Sequence, residues 1–352
     1  MIKKYVSFFY IVLIISTDTI IGAVPLPLKR NVVLGFMGDV MIGRTVNEKI
    51  DQTSYSYPWG NVQSLLYKND FNIINLETTL TTSTAKIPKV FNFKATPDKV
   101  QTLTEGNITL ATVANNHILD FFLEGMYETL TTLDNSGIKH VGAGKNEAEA
   151  RKPAILEGKG IKIGILGCTD NEPTWAAEPD KPGTNYIKVG DTTRIKKDIQ
   201  KLKKRVDIVI VSIHWGPNFR EKPNPYFVDF AHTLIDSGAD IIHGHSAHIL
   251  QGIEIYKDKL IMYDTGDFID DYAVNPLLRN DYSALFLVCV SKEGVHRLQL
   301  IPVIIKDMQV NKAYGKEYQA IIDRIRKLSQ EFGTKVSTTG EIFIKKQSYS
   351  FF

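Results

Sequence analysis

Apolar residues recur along this chain in two rhythms. Short runs rich in Val and Ile end abruptly in polar residues, and between them lie stretches with apolar positions three and four apart. The runs at 31–39 (NVVLGFMGD), 71–77 (FNIINLE) and 108–117 (ITLATVANNH) predict strands, as do KHVGAG at 139–144 and GIKIGILGCTD at 160–170. Helical spacing predicts helices over 61–70, over 96–105 with Thr96 as cap and Pro97 in the first turn, and over 123–137 with Gly137 as the stop. The second half repeats the rhythm, with strands at 206–216 and 239–245 around a helix at 225–238. Two hairpins follow, turning at 257–259 and at 292–294, and then a helix over 315–333. The basic stretch 194–205 carries Ile195, Ile199 and Leu202 near helical spacing, which marks a solvated helix face. This alternation predicts a mixed α/β fold: two mixed sheets packed together with helices outside, forming one domain over 31–352.

Composition narrows the picture without redirecting it. With 43% apolar and 23% charged residues, the chain has material for a sizeable core. A formal charge of +3, from 42 basic and 39 acidic residues, is too balanced for a nucleic-acid surface, so no nucleic-acid partner is expected. At the N-terminus Lys3 and Lys4 precede an apolar run from Tyr5 to Ile15, Asp18 interrupts it, and Gly22-Ala23 offers small residues for cleavage. That pattern predicts a signal peptide or N-terminal anchor over 1–23, and therefore export to the periplasm or cell envelope. The segment holds no cysteine for a lipid anchor. The two cysteines, Cys168 and Cys289, follow apolar runs and read as small buried hydrophobes rather than a disulfide.

The chemistry gathers at strand ends. Asp39, Glu77, Asn116-His117, His214 and the trio His243, His245 and His248 each close a predicted strand or follow it directly. The carboxyl ends of strands form the ligand crevice of α/β sheets, so these strands would deliver their groups to one edge. Carboxylate, amide oxygen and imidazole together suit one or two divalent ions such as Mn, Fe or Zn. The set is too nitrogen-rich for Ca²⁺ and lacks the thiolates of a structural zinc site. Plainer roles exist for some members, since Asp39 could cap a helix and Asn116 could serve a turn. An imidazole closing a buried strand, as at His214, requires a partner. His140, His232 and His296 are assigned to structure or surface.

The motifs GDVMIGR, NLETTL, VANNHILD, HWG and GHSAHILQGIE, in that order, resemble those of the CapA family of capsule and poly-γ-glutamate biosynthesis proteins. That family lies within the calcineurin-like metallophosphoesterases. The resemblance extends through YDTGDFIDDY and KDMQVNKAYG, and it implies a four-layer α/β/β/α sandwich with a divalent-metal site. By that resemblance Asp39 is a ligand of one metal, Glu77 stands at the bridging position, Asn116 and His214 serve the second metal, and His245 and His248 serve one metal each. His117 is then the catalytic histidine, an imidazolium able to protonate a leaving group. Arg44, five residues after Asp39, stands at a helix start, where it either reaches an anionic substrate or is a plain surface arginine. The resemblance places Asp267 and Asp270 in a loop near the site, where they either orient ligand histidines or cap a hairpin, and His243 is expected to stand behind the ligands or in the core. The chain departs from the superfamily pattern at Met41 and Ser246, where histidines are usual, and at Glu77, where an aspartate is usual. The function implied is an exported metal-dependent protein of polymer biosynthesis, acting on a phosphoryl, acyl-phosphate or peptide-type bond. Its partners would be an anionic polymer or phosphorylated substrate and a membrane synthase complex. A general phosphoesterase and a non-catalytic, metal-stabilised scaffold are the alternatives.

Overall fold

The computed structural model describes residues 31–344, so the expected export segment over 1–23 lies outside the described residues. The β-branched runs form two mixed sheets. In the nine-stranded sheet the order is Gln309–Lys312, Gly294–Lys306, Tyr282–Ser291, Val32–Val40, Phe71–Leu76, Leu110–Thr112 and Lys139–Val141. The strand Asp267–Ile269 joins it beside Val32–Val40, and Glu341–Phe343 beside Gly294–Lys306. The six-stranded sheet runs Ile253–Tyr256, Lys259–Met262, Ile241–His245, Ile208–His214, Ile161–Thr169 and Ala154–Gly158.

Alternation along the strands sorts side chains into three cores. Val32, Leu34, Phe36 and Ile73 from the first sheet meet Ile163, Ile165, Ile210 and Ile241 from the second, which glues the sheets face to face. The outer face of the first sheet buries Met37, Ile74 and Ala111 against Val46, Met126 and Leu133 of the helices Arg44–Gln52 and Phe122–Asn135. The outer face of the second buries Val209, Val211 and Ile242 against Ile195, Ile199 and Leu234 of the helices Thr193–Lys203 and Pro225–Asp236. The result is the expected four-layer α/β/β/α sandwich. Among the described residues no helix is long and apolar enough to cross a membrane.

Several predicted elements differ in extent, each for a local reason. Over 61–70 only Gln63–Leu66 is α-helical, because the Leu66 carbonyl accepts from the Asn72 and Asn107 amides instead of another helical turn. Thr96 precedes a short 3₁₀ turn, Pro97–Lys99, and its hydroxyl accepts from the Lys99 ammonium rather than capping a backbone N–H. The strand expected over 108–117 stops at Thr112, since Asn115 folds the chain back. Its Oδ1 accepts from His117 N at 3.0 Å while its amide donates to Leu76 O at 2.8 Å. The helix Gly315–Gln330 is not an outer layer: Ile321, Ile322 and Ile325 plug the core between the sheets beside Leu298 and Ile253. Both hairpins form as read, with Lys257 and Asp258 in left-handed backbone at the first turn.

Candidate metal centre

Strand register brings the candidate groups together. Asp39 lies opposite Asn75 in the parallel pair formed by Val32–Val40 and Phe71–Leu76, so both side chains share one face. Glu77, two residues on, keeps that face. In the second sheet His214 lies opposite His245, and Ser212 opposite His243. All four side chains therefore look into the space between the sheets, at the carboxyl ends of the strands.

Two glycines permit the close approaches this needs. A side chain at Gly38 would put its Cβ 1.8 Å from the Gly266 carbonyl oxygen; without one, Asp39 N donates to that oxygen at 3.0 Å. The strand Asp267–Ile269 then pairs with the first strand, setting Asp267 opposite Asp39. At Gly244 a Cβ would fall 2.0 Å from Tyr263 O. Beyond His245 the chain turns through left-handed backbone at Ser246 (φ 115°) and His248 (φ 59°), an unfavourable conformation for non-glycine residues that clusters at functional sites. Asp264 holds this turn, its two oxygens accepting from Ala247 N at 2.7 Å and Gly266 N at 2.8 Å.

Two groups of donor atoms result, Asp39 with His214 and His245, and Asp39 with Glu77 and His248, each with its atoms within 4.8 Å of one another. The resemblance puts Glu77 at the shared position, whereas the geometry makes Asp39 common to both groups. The surrounding hydrogen bonds fix where the lone pairs point. Met37 O can only accept, so His243 donates to it from Nε2 at 3.0 Å and must accept at Nδ1 from the Ser212 hydroxyl, also at 3.0 Å. Ser212 has then spent its proton. Its oxygen accepts from Thr112 Oγ1 at 2.7 Å and from His245 Nε2 at 3.2 Å. His245 Nδ1 is left with a lone pair. His214 donates from Nε2 to Asn116 Oδ1 at 3.0 Å, which leaves a lone pair on its Nδ1 too, met only at 3.3 Å by the Asn75 amide that donates to Asp39 Oδ1 at 2.7 Å. These two nitrogens face each other at 3.0 Å, each 3.8 Å from Asp39 Oδ1.

The second group is oriented by Asp267, whose Oδ1 accepts from His248 Nδ1 at 2.8 Å. His248 Nδ1 also stands 3.3 Å from Asp39 Oδ2, but with its hydrogen committed to Asp267 that oxygen makes no hydrogen bond. Glu77 Oε1 is likewise unpaired, with His117, His214 and His248 Nε2 at 3.9, 3.8 and 4.0 Å around it.

Electrostatics give the same answer as geometry. Asp39, Glu77, Asp264, Asp267 and Asp270 are all at most 5% exposed. Burial, reinforced by neighbouring carboxylates, pushes Glu77, Asp264 and Asp270 well above the usual carboxylate range and Asp267 up to about 6. Burial also raises Asp39, but the neighbouring histidines outweigh it and hold that carboxyl low. His214 is pushed down to about 3 by burial, and His245 well below its usual value. His248 moves up, because Asp267 and Glu77 overcome the opposing effect of burial. Orphaned carboxylate oxygens and facing lone pairs in a dry crevice are costly without a cation, so the donor set fits divalent metal.

His117 sits at the edge of this crevice. Its Nδ1 meets Asp120 Oδ2 at 2.6 Å, and its ring stacks on Phe93 at 3.8 Å. Burial pushes it down to about 4 despite Asp120, so the imidazole is neutral near pH 7 rather than the expected imidazolium. Asn116 Oδ1 accepts from His214 Nε2 and so sits at the edge of the first group of donors. Arg44 does not project freely: its guanidinium pairs with Asp271 at 2.9 Å and lies 5.4–5.8 Å from the Phe91, Phe93 and Tyr272 ring centres. Asp270 orients no histidine; one oxygen accepts from Tyr272 N at 2.7 Å and the other has no hydrogen bond. His243 is fully buried behind His245, as expected. Met41 is buried with its sulfur accepting from Gly43 N, and the Ser246 hydroxyl donates to Gly216 O at 3.1 Å, so neither faces the donors. Cys168 and Cys289 are free, the first buried and the second half-buried.

Sequence reasoning missed Asp120, Ser212, Asn75 and Asp264. The Asp120 signal was present, three residues after His117; the others depend on contacts across strands.

The family model described as "Bacterial capsule synthesis protein PGA_cap" matches residues 33–272. A "Probable polyglutamine synthesis accessory protein" of Mycobacterium tuberculosis is 34% identical over 319 residues, covering 86% of this chain and 84% of that one. The "PGA biosynthesis protein CapA" of Bacillus subtilis is 30% identical over 276 residues, covering 77% and 71%. Among solved structures, the NAD nucleotidase of Haemophilus influenzae aligns over 84% of this chain and 62% of its own, with 14% identity and a TM-score of 0.44.

Proposed function

Because the chain belongs to the bacterial capsule synthesis family PGA_cap, we propose that it is an exported, metal-dependent component of capsule, poly-γ-glutamate or related envelope-polymer biosynthesis. Its crevice would act on a phosphoryl, acyl-phosphate or peptide-type bond of an anionic polymer or its phosphorylated precursor. The observation that carries this reading is the pair of lone-pair nitrogens on His214 and His245, 3.0 Å apart and turned toward Asp39. Asp39, His214 and His245 would hold one divalent ion, and Asp39, Glu77 and His248 a second. When bound, such ions polarise a phosphoryl or acyl oxygen and acidify water. The chain's own residues do the rest. His117 offers a neutral Nε2 to the crevice and is held in place through Nδ1 by Asp120, so it can accept a proton there and return it. Phe93 covers one face of that ring and keeps water off it.

Elemental analysis of the purified full chain tests this directly. At least one Mn, Fe or Zn per chain is expected, together with cleavage of an aryl phosphate that Asp39→Ala and His214→Ala both abolish. Metal-loaded protein without such turnover would falsify the phosphoesterase chemistry, and protein without metal would sink the site itself.

One observation favours a second reading, a metal-stabilised scaffold for a membrane synthase. Met41 stands where the superfamily has a histidine and is buried with its sulfur turned to Gly43 N, so that position adds no imidazole to Asp39, Glu77 and His248. Under that reading His117→Ala leaves polymer output and synthase co-purification intact. Loss of polymer with metal content unchanged rejects it.

A further inference from the structure

Beside the His117–Asp120 turn the surface becomes apolar. The loop 86–94 (KIPKVFNFK) presents Val90, 87% exposed, and Phe91, 57% exposed. Its base is fastened to Asp120: Ile87 N donates to Asp120 O at 3.0 Å, Phe93 N to Oδ2 at 2.7 Å, and Lys89 pairs with Oδ1 at 3.2 Å. The tip is thus held outward by a fixed frame. Alongside lies a hollow of about 430 Å³ lined by Ile87, Leu119, Phe122, Leu123, Trp175 and Pro182. Phe122 and Leu123 open the Phe122–Asn135 helix with their side chains exposed, and Phe122 stands in left-handed backbone (φ 54°), an unusual conformation for an aromatic residue. Grouped apolar side chains of this kind mark an interaction surface, unlike the single exposed hydrophobes of an ordinary one.

The charges around the patch identify the partner. Lys86 forms no ion pair among the described residues, and Lys94 donates only to Ser83 O, at 2.8 Å, with its ammonium 5.2 Å over Phe121. Lys181 pairs with Glu178 at 3.1 Å, and Lys89, besides meeting Asp120, lies 5.3 Å over Trp175. The acid at the hollow, Glu124, accepts from Ser83 Oγ at 3.2 Å. Aliphatic and aromatic tips rimmed by lysines, with a tryptophan at the boundary, match an interface whose polar layer is anionic and whose interior is hydrocarbon. We infer that the loop 86–94, with Phe122, Leu123 and Trp175, docks on an anionic lipid bilayer. Phe91 is 5.5 Å from the Arg44 guanidinium and Phe93 stacks on His117, so docking brings the mouth of the crevice to the membrane surface. The inference stands independently of the metal centre.

Trp175 provides the readout. Of the three tryptophans, Trp59 is 0% and Trp215 5% exposed, so only Trp175 is placed to respond to lipid. The full chain is mixed with phosphatidylcholine vesicles with and without phosphatidylglycerol, and emission is followed. A blue shift is expected with phosphatidylglycerol and a smaller one without it. The shift should be lost in Trp175→Phe and in Val90→Asp/Phe91→Asp, the latter checked for native circular dichroism. Emission is chosen over sedimentation because the N-terminal segment could hold the chain on vesicles by itself. Wild-type protein that sediments without shifting overturns the inference, as does an equal shift in the double variant. A shift that follows protein concentration without vesicles assigns the patch to self-association instead. Asp39→Ala should shift like the wild type, which separates this result from the metal reading.

Discussion

The two donor groups share Asp39 but are held by different means. His214 and His245 lie on adjacent strands at matched register, and their lone pairs are set by a buried relay from Met37 O through His243 and Ser212. Glu77 and His248 lie just beyond strand ends: Glu77 Oε2 accepts from the Tyr272 hydroxyl at 3.3 Å, while single carboxylates pin the other segment, Asp267 on His248 and Asp264 on the turn between the histidines. A ladder fixes the first half through many backbone hydrogen bonds, so its accuracy is inherited from the sheet. The second half depends on a few side chains and a left-handed turn. Metal affinity in this crevice should therefore be separable into a sheet-borne part and a loop-borne part.

Removing the shared ligand tests the comparison most severely. Asp39→Ala should empty both halves, lowering metal affinity by more than about 100-fold, beyond the 10–100-fold usual for supporting residues; stoichiometry after dialysis measures it. A variant that keeps one tightly bound ion would show that the halves do not share Asp39. Next, Asp267→Asn and Ser212→Ala should each cost about 10–100-fold in affinity, but at different ions. Calorimetric titration should show one class of site weakened in each case, and identical isotherms would erase the distinction. His243→Phe leaves Met37 O without its donor and should destabilise the fold by about 1–3 kcal/mol in chemical denaturation. An unchanged midpoint would show that the relay has no structural value. The smallest effect is expected at the turn. Ser246→Gly relieves left-handed strain and should stabilise by about 1 kcal/mol, less what the lost bond to Gly216 O contributed. A drop in the thermal midpoint would mean that the hydroxyl outweighs the strain.

Much of this arrangement was legible in order along the chain. Strand ends carrying Asp39, Glu77, His214 and His245 were visible because apolar runs stop where a polar group must meet a ligand. A role for Asp267 in orienting a ligand histidine was among the expectations; that the histidine is His248 came from the structure. The partners of Arg44 and Asp270, Asp271 and Tyr272 N, were not legible, because they sit in a loop whose path follows from the added strand Asp267–Ile269. Only the bare backbone at Gly38 reveals that another chain segment lies against the first strand.

Local pattern alone determined the sheet-forming runs, most helices, both hairpin turns and the set of residues able to bind metal, because periodicity and residue chemistry are properties of neighbours in sequence. Tertiary structure decided which carboxylate is shared, which imidazole nitrogen carries the proton, and that Asn116 serves His214. Those outcomes depend on distances between strands far apart in the chain, where a donor committed to one acceptor is no longer free for another.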